Sequence, residues 1–504
     1  MTGGEKDFPM KECYICIDLG TSRIKCSLIN KDGNFIYYSK RDASTYYREI
    51  IYQDPDEYLR IVFEEINKMK NRHPDHFSRI HSLMISGQMG GVLGIDKDFN
   101  IVFPWSYSVD TKYNEYLSML EDNYRKEIRE SSGGIATMAA KIIWIKERFP
   151  DKYTRVEKFI NLMSYVASRL CGLSCKEAFI DCSCLTMTGI ADIKALSWNK
   201  ELCKEFKIDI SKLPAIKRAT DRIGVIKSSV FETIKDVEVI AGCGDQVAGF
   251  IGAGINKRND LIDVSGTYTI LGYCGNTYIS DTEYESLHSI YSGISDIYYQ
   301  IAIIAAGGYT LDWFLKNFNY ISKRDSLLKK TINDKEKLYF IPHFGGRYSP
   351  SQPHFRGGWI GAKWEHDIND FYKSILESSG YELYNAFNTI KKVNKLDDDR
   401  FSSIKVIGGG SLNDYENEIK ASILDLDYVR LNNLPFELIG GFLISKFGNE
   451  IKKGYESLLS SQIIRVEKEY KPKEPMKKYY ENPKNKYLKI INKLEEIYSE
   501  INSN

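Results

Sequence analysis

"CIDLGTSRIKCSLI", Cys16 to Ile29, interrupts an apolar run with Asp-Leu-Gly-Thr-Ser and then resumes it. Ile24, Cys26 and Leu28 recur at every second position, so the resumed run has the period of a strand and the stretch predicts a β-hairpin. A Walker-type loop needs Gly-x-x-x-x-Gly-Lys-Ser/Thr leading from a strand into a helix, and neither that spacing nor that helix is present. The turn does offer consecutive backbone N–H groups, the hydroxyls of Thr21 and Ser22, and no Cβ at Gly20, a geometry suited to enclosing phosphate oxygens. Asp18, at the strand end, can hold Mg²⁺ directly or through water, since Mg²⁺ takes one or two carboxylates plus substrate phosphates. Lys25 adds positive charge. Taken alone, these residues fit a tight hairpin closed by an Asx-type turn equally well.

A second copy changes the balance. "LIDVSGTYTILGYC", Leu261 to Cys274, is again strand, acid, small glycine-and-hydroxyl turn, strand, with Asp263, Ser265, Gly266 and Thr267 in the corresponding places. The two acids lie about half the chain apart, which predicts two similar domains, each offering one hairpin to a shared cleft where the pair can clasp one polyphosphate. Between the hairpins the pattern is alternating α/β. "KDGN" turns into a third strand, completing a three-stranded meander. Tyr58, Ile61, Val62 and Ile66 share one face of a helix after Asp54, "SLMISGQM" returns to strand, residues 140–215 read as mostly helical, and "VEVIAG" reads as a buried strand. In "KVIGGGSLNDYENEIKASIL" a strand runs through three glycines into a helix. The expected division is 13–256, 257–450 and an extension 451–504, whose Lys-, Pro- and Tyr-rich start from about Glu467 is expected to run along the surface before a last helix.

Composition narrows the partners. A chain of 504 residues exceeds one ordinary core and fits two large domains or three small ones. Lys plus Arg is 69 against 68 for Asp plus Glu, a net charge of +1, which supplies no long-range field for nucleic acid or an acidic membrane. No apolar run approaches the roughly 20 residues of a bilayer span, and "MTGGEKDFPMKE" lacks the apolar core of a signal peptide, so a cytoplasmic protein is expected. Cys13 and Cys16 have CxxC spacing but no second pair follows, and the ten cysteines read as buried thiols. His73 and His76, in "NKMKNRHPDHF", read as a solvated loop.

Asp18-Leu-Gly-Thr-Ser with Lys25, paired with the later Asp-x-Ser-Gly-Thr turn, resembles the two phosphate motifs of the actin, heat-shock chaperone and sugar kinase ATPase superfamily. Within it, "YQDPDEYL", "ISGQMGGVLGID", "KIIWIKE", "GCGDQVAGFIGAGI", "AAGGYTLDWF", "RGGWIGAKWEHDINDFYKSILE" and "GGGSLN" follow the order found in FGGY carbohydrate kinases, over roughly residues 13 to 450. The resemblance is to xylulokinase-like members. It implies an α/β fold of two RNase H-like (actin-like ATPase) domains, with ATP, Mg²⁺ and a small sugar or polyol meeting in the inter-domain cleft, and it leaves a homodimer open.

Residue by residue, the resemblance implies Asp245 of "GCGDQVAGF" as the catalytic base and, with Asp18, a Mg²⁺ ligand. It implies Gln88, Met89, Trp105, Asp110, Asp245 and Gln246 as sugar contacts. On the nucleotide side it implies Asp18, Gly20, Thr21, Ser22, Lys25, Ser265, Gly266, Thr267, Gly308, Gly409, Gly410 and Asn413. By its own setting Asp245 can also be an N-cap, Met89 and Trp105 core residues, and Asp110 a helix start. Two departures stand out: Gly90, where many xylulokinases carry His, and Glu416, where relatives often have an apolar or aromatic residue. The expected activity is ATP-dependent phosphorylation of a ketose or polyol hydroxyl, most plausibly of a pentulose such as xylulose. Glycerol, gluconate, ribulose or another polyol is the alternative acceptor. Two further alternatives are a nucleotide-switched binding protein and a degenerate kinase that binds for regulation.

Overall fold

The interrupted run folds into β1 (Cys13–Leu19) and β2 (Arg23–Asn30), paired antiparallel with Asp18 directly opposite Lys25. β3 (Phe35–Asp42) completes the meander. The computed structural model describes residues 12–106, 111–227, 236–321, 327 and 337–502. β4 (Ile80–Gly87) adds parallel to β1, and β5 (Arg222–Val225) and β6 (Glu238–Ile240) extend the sheet in the order β5-β6-β4-β1-β2-β3. Every residue of β1 is buried, as expected of a central strand covered on both faces.

The second lobe repeats the plan. β7 (Leu261–Ser265) and β8 (Thr269–Gly275) form the second hairpin. β9 (His288–Tyr291) and β10 (Tyr298–Ile304) flank it on one side, and β11 (Ser403–Ile407), β12 (Asp427–Leu431) and β13 (Val466–Tyr470) on the other, in the order β9-β10-β8-β7-β11-β12-β13. In both sheets the hairpin strand sits centrally, antiparallel to its hairpin partner and parallel to the strand on its other side. The C-terminal ends of β1 and β7 therefore carry the two glycine-and-hydroxyl turns.

Seven helices matter for the site: α1 (Pro55–Arg72), α2 (Asn114–Ser132), α3 (Asp245–Gly252), α4 (Gly308–Asn317), α5 (Asp414–Leu424), α6 (Phe436–Phe447) and α7 (Glu474–Asn502). α3 and α6 cross at the lobe boundary so closely that a Cβ added to Gly252 would stand 1.9 Å from the Phe436 carbonyl oxygen, and one on Gly440 1.9 Å from that of Ala248. Each helix also reaches the other lobe's sheet. Phe250 of α3 meets Tyr299 edge-on, while Gly441 of α6 lies against Cys16 and Met84. The result is a core shared by both lobes, in addition to one core in each. A second tie comes from α2, where the buried Arg129 guanidinium donates to the Glu285 and Leu287 carbonyls at 2.7 and 3.1 Å.

Three expectations are corrected. Residues 140–215 are less helical than their apolar density suggests, because short strands at Lys158–Ile160 and Phe179–Asp181 and the 3₁₀ turn Cys182–Met187 interrupt the helices. The tail is built into the second lobe further than expected: β13, four of its five residues exposed, joins the sheet as its edge strand, and the expected last helix, α7, buries Tyr480, Tyr487 and Ile491. These three recur at helical spacing within a polar composition, so composition conceals an amphipathic stripe. Pro74–Phe77 forms a short helix rather than a loop, although His76 is exposed as expected. All ten cysteines are free and buried, and no described helix is long and apolar enough to cross a membrane.

Tyr480 is fully buried and donates to Glu377 at 2.9 Å. Tyr480→Ala is expected to cost about 3–5 kcal/mol, the range for deleting a buried aromatic ring. Urea denaturation followed by fluorescence should show a correspondingly lower midpoint.

Candidate active site

The first turn is held by its carbonyls. Tyr58 of α1 donates to Gly20 O at 3.1 Å, the buried Gln53 amide to Thr21 O at 2.7 Å, and Ala43 N to Ser22 O at 3.0 Å. No acceptor among the described residues takes the N–H of Thr21 or Ser22. With the carbonyls held by protein, these N–H groups remain as donors, the requirement for a cradle of anionic oxygens.

Beside this turn four charged side chains converge. Lys25 Nζ lies 3.4 Å from Asp18 Oδ2 and forms an ion pair with Glu437, at the start of α6. Burial raises the Asp18 pKa, reinforced by Glu437 and Asp245 and opposed by Lys25. Burial also pushes Asp245 up, to about 6, with the Gln246 N–H and Lys25 pulling the other way. The Lys25 ammonium loses stability through burial, but Asp18 and Glu437 outweigh that loss and its pKa rises. Asp245 is the first residue of α3, with Gly244 as its N-cap. Its Oδ1 accepts only from the adjacent Gln246 N–H, at 2.7 Å, among the described hydrogen bonds, so the carboxyl is not spent on capping. Asp245 and Gln246 are both partly exposed. A cavity of about 350 Å³ opens here between the lobes, with Lys25, Lys40, Gly408, Gly409 and Glu437 in its wall.

The second turn is built differently. Gly266 and Thr267 reach the surface, and their carbonyls accept from Gly308 N and Tyr309 N at 2.9 and 3.1 Å, docking the start of α4 against the hairpin. Gly410 lies against Ser265, while a Cβ at Gly409 would meet nothing within 4 Å, so that loop leaves open room beside the turn. Asn413 caps α5, accepting from Glu416 N at 3.2 Å. Asp263, the counterpart of Asp18, is wholly buried: Lys420 Nζ reaches its Oδ2 at 3.1 Å and Ser265 Oγ donates to Oδ1 at 2.9 Å. Glu416 joins this cluster 2.9 Å from Lys420 and accepts from Ser379 Oγ at 3.0 Å, which gives the unusual acid at that position a structural partner. Burial raises the Asp263 pKa and Lys420 opposes the rise.

The residues matched to sugar contacts divide. Met89 is partly exposed and packs on Gly244, next to Asp245. Gln88 is buried, its amide donating to Gln53 Oε1 at 2.6 Å and its oxygen accepting from Thr21 at 3.4 Å, so it braces the first hairpin. Trp105 is wholly buried: its indole packs on Gly91 inside the first core, and its Nε1 finds no hydrogen-bond partner among the described residues. Its backbone contributes instead, accepting from Gln53 N at 3.0 Å. Asp110 lies outside the described residues. Gly90 has φ +79°, and a Cβ there would stand 2.7 Å from Met187 Cε, so the Met187 thioether fills the space beside it. Sequence reading missed Glu437, Lys420 and Gln53. Glu437 had a signal: "NLPFELIGGF" repeats the strand, loop, acid, helix order of "GCGDQVAGF".

The description "FGGY family of carbohydrate kinases, N-terminal domain" fits residues 13–252, and its C-terminal counterpart fits residues 264–444. The chain belongs to the FGGY family of carbohydrate kinases, ATP-dependent phosphotransferases. Among curated proteins it is 24% identical to a xylulose kinase of Staphylococcus epidermidis, over 98% of this chain and 99% of that one. The fold matches a ligand-bound xylulose kinase from Lactobacillus acidophilus with a TM-score of 0.87 at 19% identity, covering 97% of this chain and 99% of that one. A gluconate kinase from the same organism gives the same TM-score and identity, covering 97% and 100%.

Lys420 is the cation that offsets two buried carboxylates beneath the second turn. Lys420→Met is expected to destabilise the protein by about 3–5 kcal/mol, since both acids lose their buried partner. Comparing denaturant midpoints of the variant and the parent protein checks this.

Proposed function

We propose that this kinase phosphorylates a hydroxyl of a pentulose such as xylulose, with Asp245 as the catalytic base. The observation that carries the reading is the position of Asp245: a partly exposed carboxyl at a helix start, uncommitted to capping, in the electrostatic neighbourhood of Asp18 and Lys25 at the first phosphate turn. The sugar oxygen attacks the γ-phosphorus as the bond from that phosphorus to the ADP oxygen breaks, and Asp245 receives the hydroxyl proton. In a loose transition state that proton leaves late, so orienting the hydroxyl matters more than strong basicity. The α3 N-terminus favours the ionised carboxylate, while burial keeps its pKa high enough to receive a proton.

The donor set suits ATP with Mg²⁺. Free N–H groups at the first turn, the open Gly409 backbone and the exposed Thr267 fit the phosphate tail. Asp18 and Asp245 are the carboxylates that would hold Mg²⁺ with phosphate oxygens, and the ion would neutralise charge on the transferring group. Met89 and Gln246 border the acceptor side. The likeness to xylulose kinases along nearly the whole chain supports a pentulose. The equally close fold of a gluconate kinase makes an open-chain sugar acid the second acceptor to test.

A panel of pentuloses, gluconate and glycerol, assayed for ADP release above a no-sugar blank, should show xylulose as the best acceptor. Preferred turnover of another compound would replace the substrate assignment. Asp245→Asn should reduce turnover by at least about 10³-fold while ATP binding by calorimetry stays within a few-fold. Because Asp245 must be ionised to accept the proton and its pKa lies at about 6, kcat/KM should fall close to tenfold per pH unit below that point.

A further inference from the structure

We infer that Asp181 and Ser183 are positioning residues for the catalytic carboxylate, forming a buried strut that fixes the backbone immediately before Asp245. The inference rests on the role given to Asp245 above. Ser183 is wholly buried, and its Oγ accepts from Gly244 N at 2.8 Å, although the two residues lie 61 apart in the chain. An N–H can only donate, so the serine hydroxyl must spend its own proton elsewhere. It does so on Asp181 Oδ1, through a short hydrogen bond. Asp181 is in turn almost wholly buried and over-determined: the Ser183 and Cys184 N–H groups also donate to Oδ1, at 3.1 and 3.3 Å, and Asn161 Nδ2 donates to Oδ2 at 2.9 Å.

The direction of this chain has a consequence. A carboxylate pulling on the Ser183 proton makes its oxygen a better acceptor, so the bond to Gly244 is strengthened by its neighbour. Gly244 is the N-cap of α3, and its extended backbone sets the direction in which Asp245 leaves the loop. From the other side Gly244 packs against Met89 and bridges to Gly87 at the end of β4. The strut supplies the third contact, from an element that neither hairpin provides. It also reaches the second lobe: Gly293, just after β9, is in close contact with Cys182, between the two strut residues. Asp181 and Ser183 touch no cleft surface, so they act through Asp245 rather than on the substrate. A displacement of the order of 1 Å at a reacting group can cost about 10²-fold in rate.

The test pairs Ser183→Ala with Ser183→Thr and Asp181→Asn. Ser183→Ala should lower kcat about 10- to 100-fold, with KM for sugar and ATP within about twofold. Ser183→Thr, which keeps the hydroxyl, should recover most of the rate. Asp181→Asn keeps the shape and removes the charge, so it should fall between the two. Amide hydrogen exchange of the peptide 241–250, which needs no sugar, should be faster in Ser183→Ala and unchanged in Asp245→Asn. Unchanged exchange and unchanged kcat in a folded Ser183→Ala protein would overturn the strut. Faster exchange in Ser183→Ala, with a parent protein that turns over no sugar, would instead retain the strut and reject the proposed reaction. Should Ser183→Ala fail to fold, Asp181→Asn read by the same exchange and kcat decides the matter.

Discussion

The structure depends on a backbone-to-backbone crossing of two helices. At Gly252 and Gly440 a side chain would collide with a carbonyl of the facing helix, so the approach of α3 and α6 is available only without Cβ atoms. The contacts run antiparallel, Gly252 on Phe436 and Ala248 on Gly440, and they lock together two helices, one from each lobe, whose acids feel each other's charge. One begins with Asp245 and the other carries Glu437 in its first turn. Acids are favoured there by the helix dipole, and Lys25 between Asp18 and Glu437 keeps the like charges together. The two lobes could not gather these groups from independent domains joined by a linker alone.

The same crossing ties the two lobes together. α3 and α6 each pack on the opposite sheet, so the shared core lies at the bottom of the cleft, whereas the two turns stand at the C-terminal ends of β1 and β7 above it. The Arg129 tie to the 285–287 segment fixes a second point on one side.

The hairpins were legible in the sequence because their period, their glycines and their repetition are local. β1 and β2 fall where alternation puts them, and the second turn falls where the repeat puts it. The α7 helix was not legible by composition, since Lys, Pro and Tyr describe a solvated tail until Tyr480, Tyr487 and Ile491 are read as one face. Trp105 illustrates a related point: a motif match fixes a residue's neighbourhood, but which face of a two-residue period it occupies depends on strand register. Glu437 and Ser183 lie far along the chain from the groups they serve, and no local pattern states that a serine 61 residues upstream will accept from Gly244.

The repeat also shows why similar motifs need not do similar work. Asp263 is closed in by Lys420 and Ser265, so its charge is answered within the lobe and the second turn is left to offer backbone and Thr267. Asp18 has no such private cation. Lys25 is divided between it and Glu437, and with Asp245 close by, three carboxylates face one ammonium. The cation beside Asp18 is thus shared with a carboxylate of the second lobe, while the second turn offers neutral donors. On the proposed reading, an asymmetry of this kind would orient a nucleotide, drawing its terminal phosphate with its cation toward Asp18 and Asp245, where an alcohol would meet it.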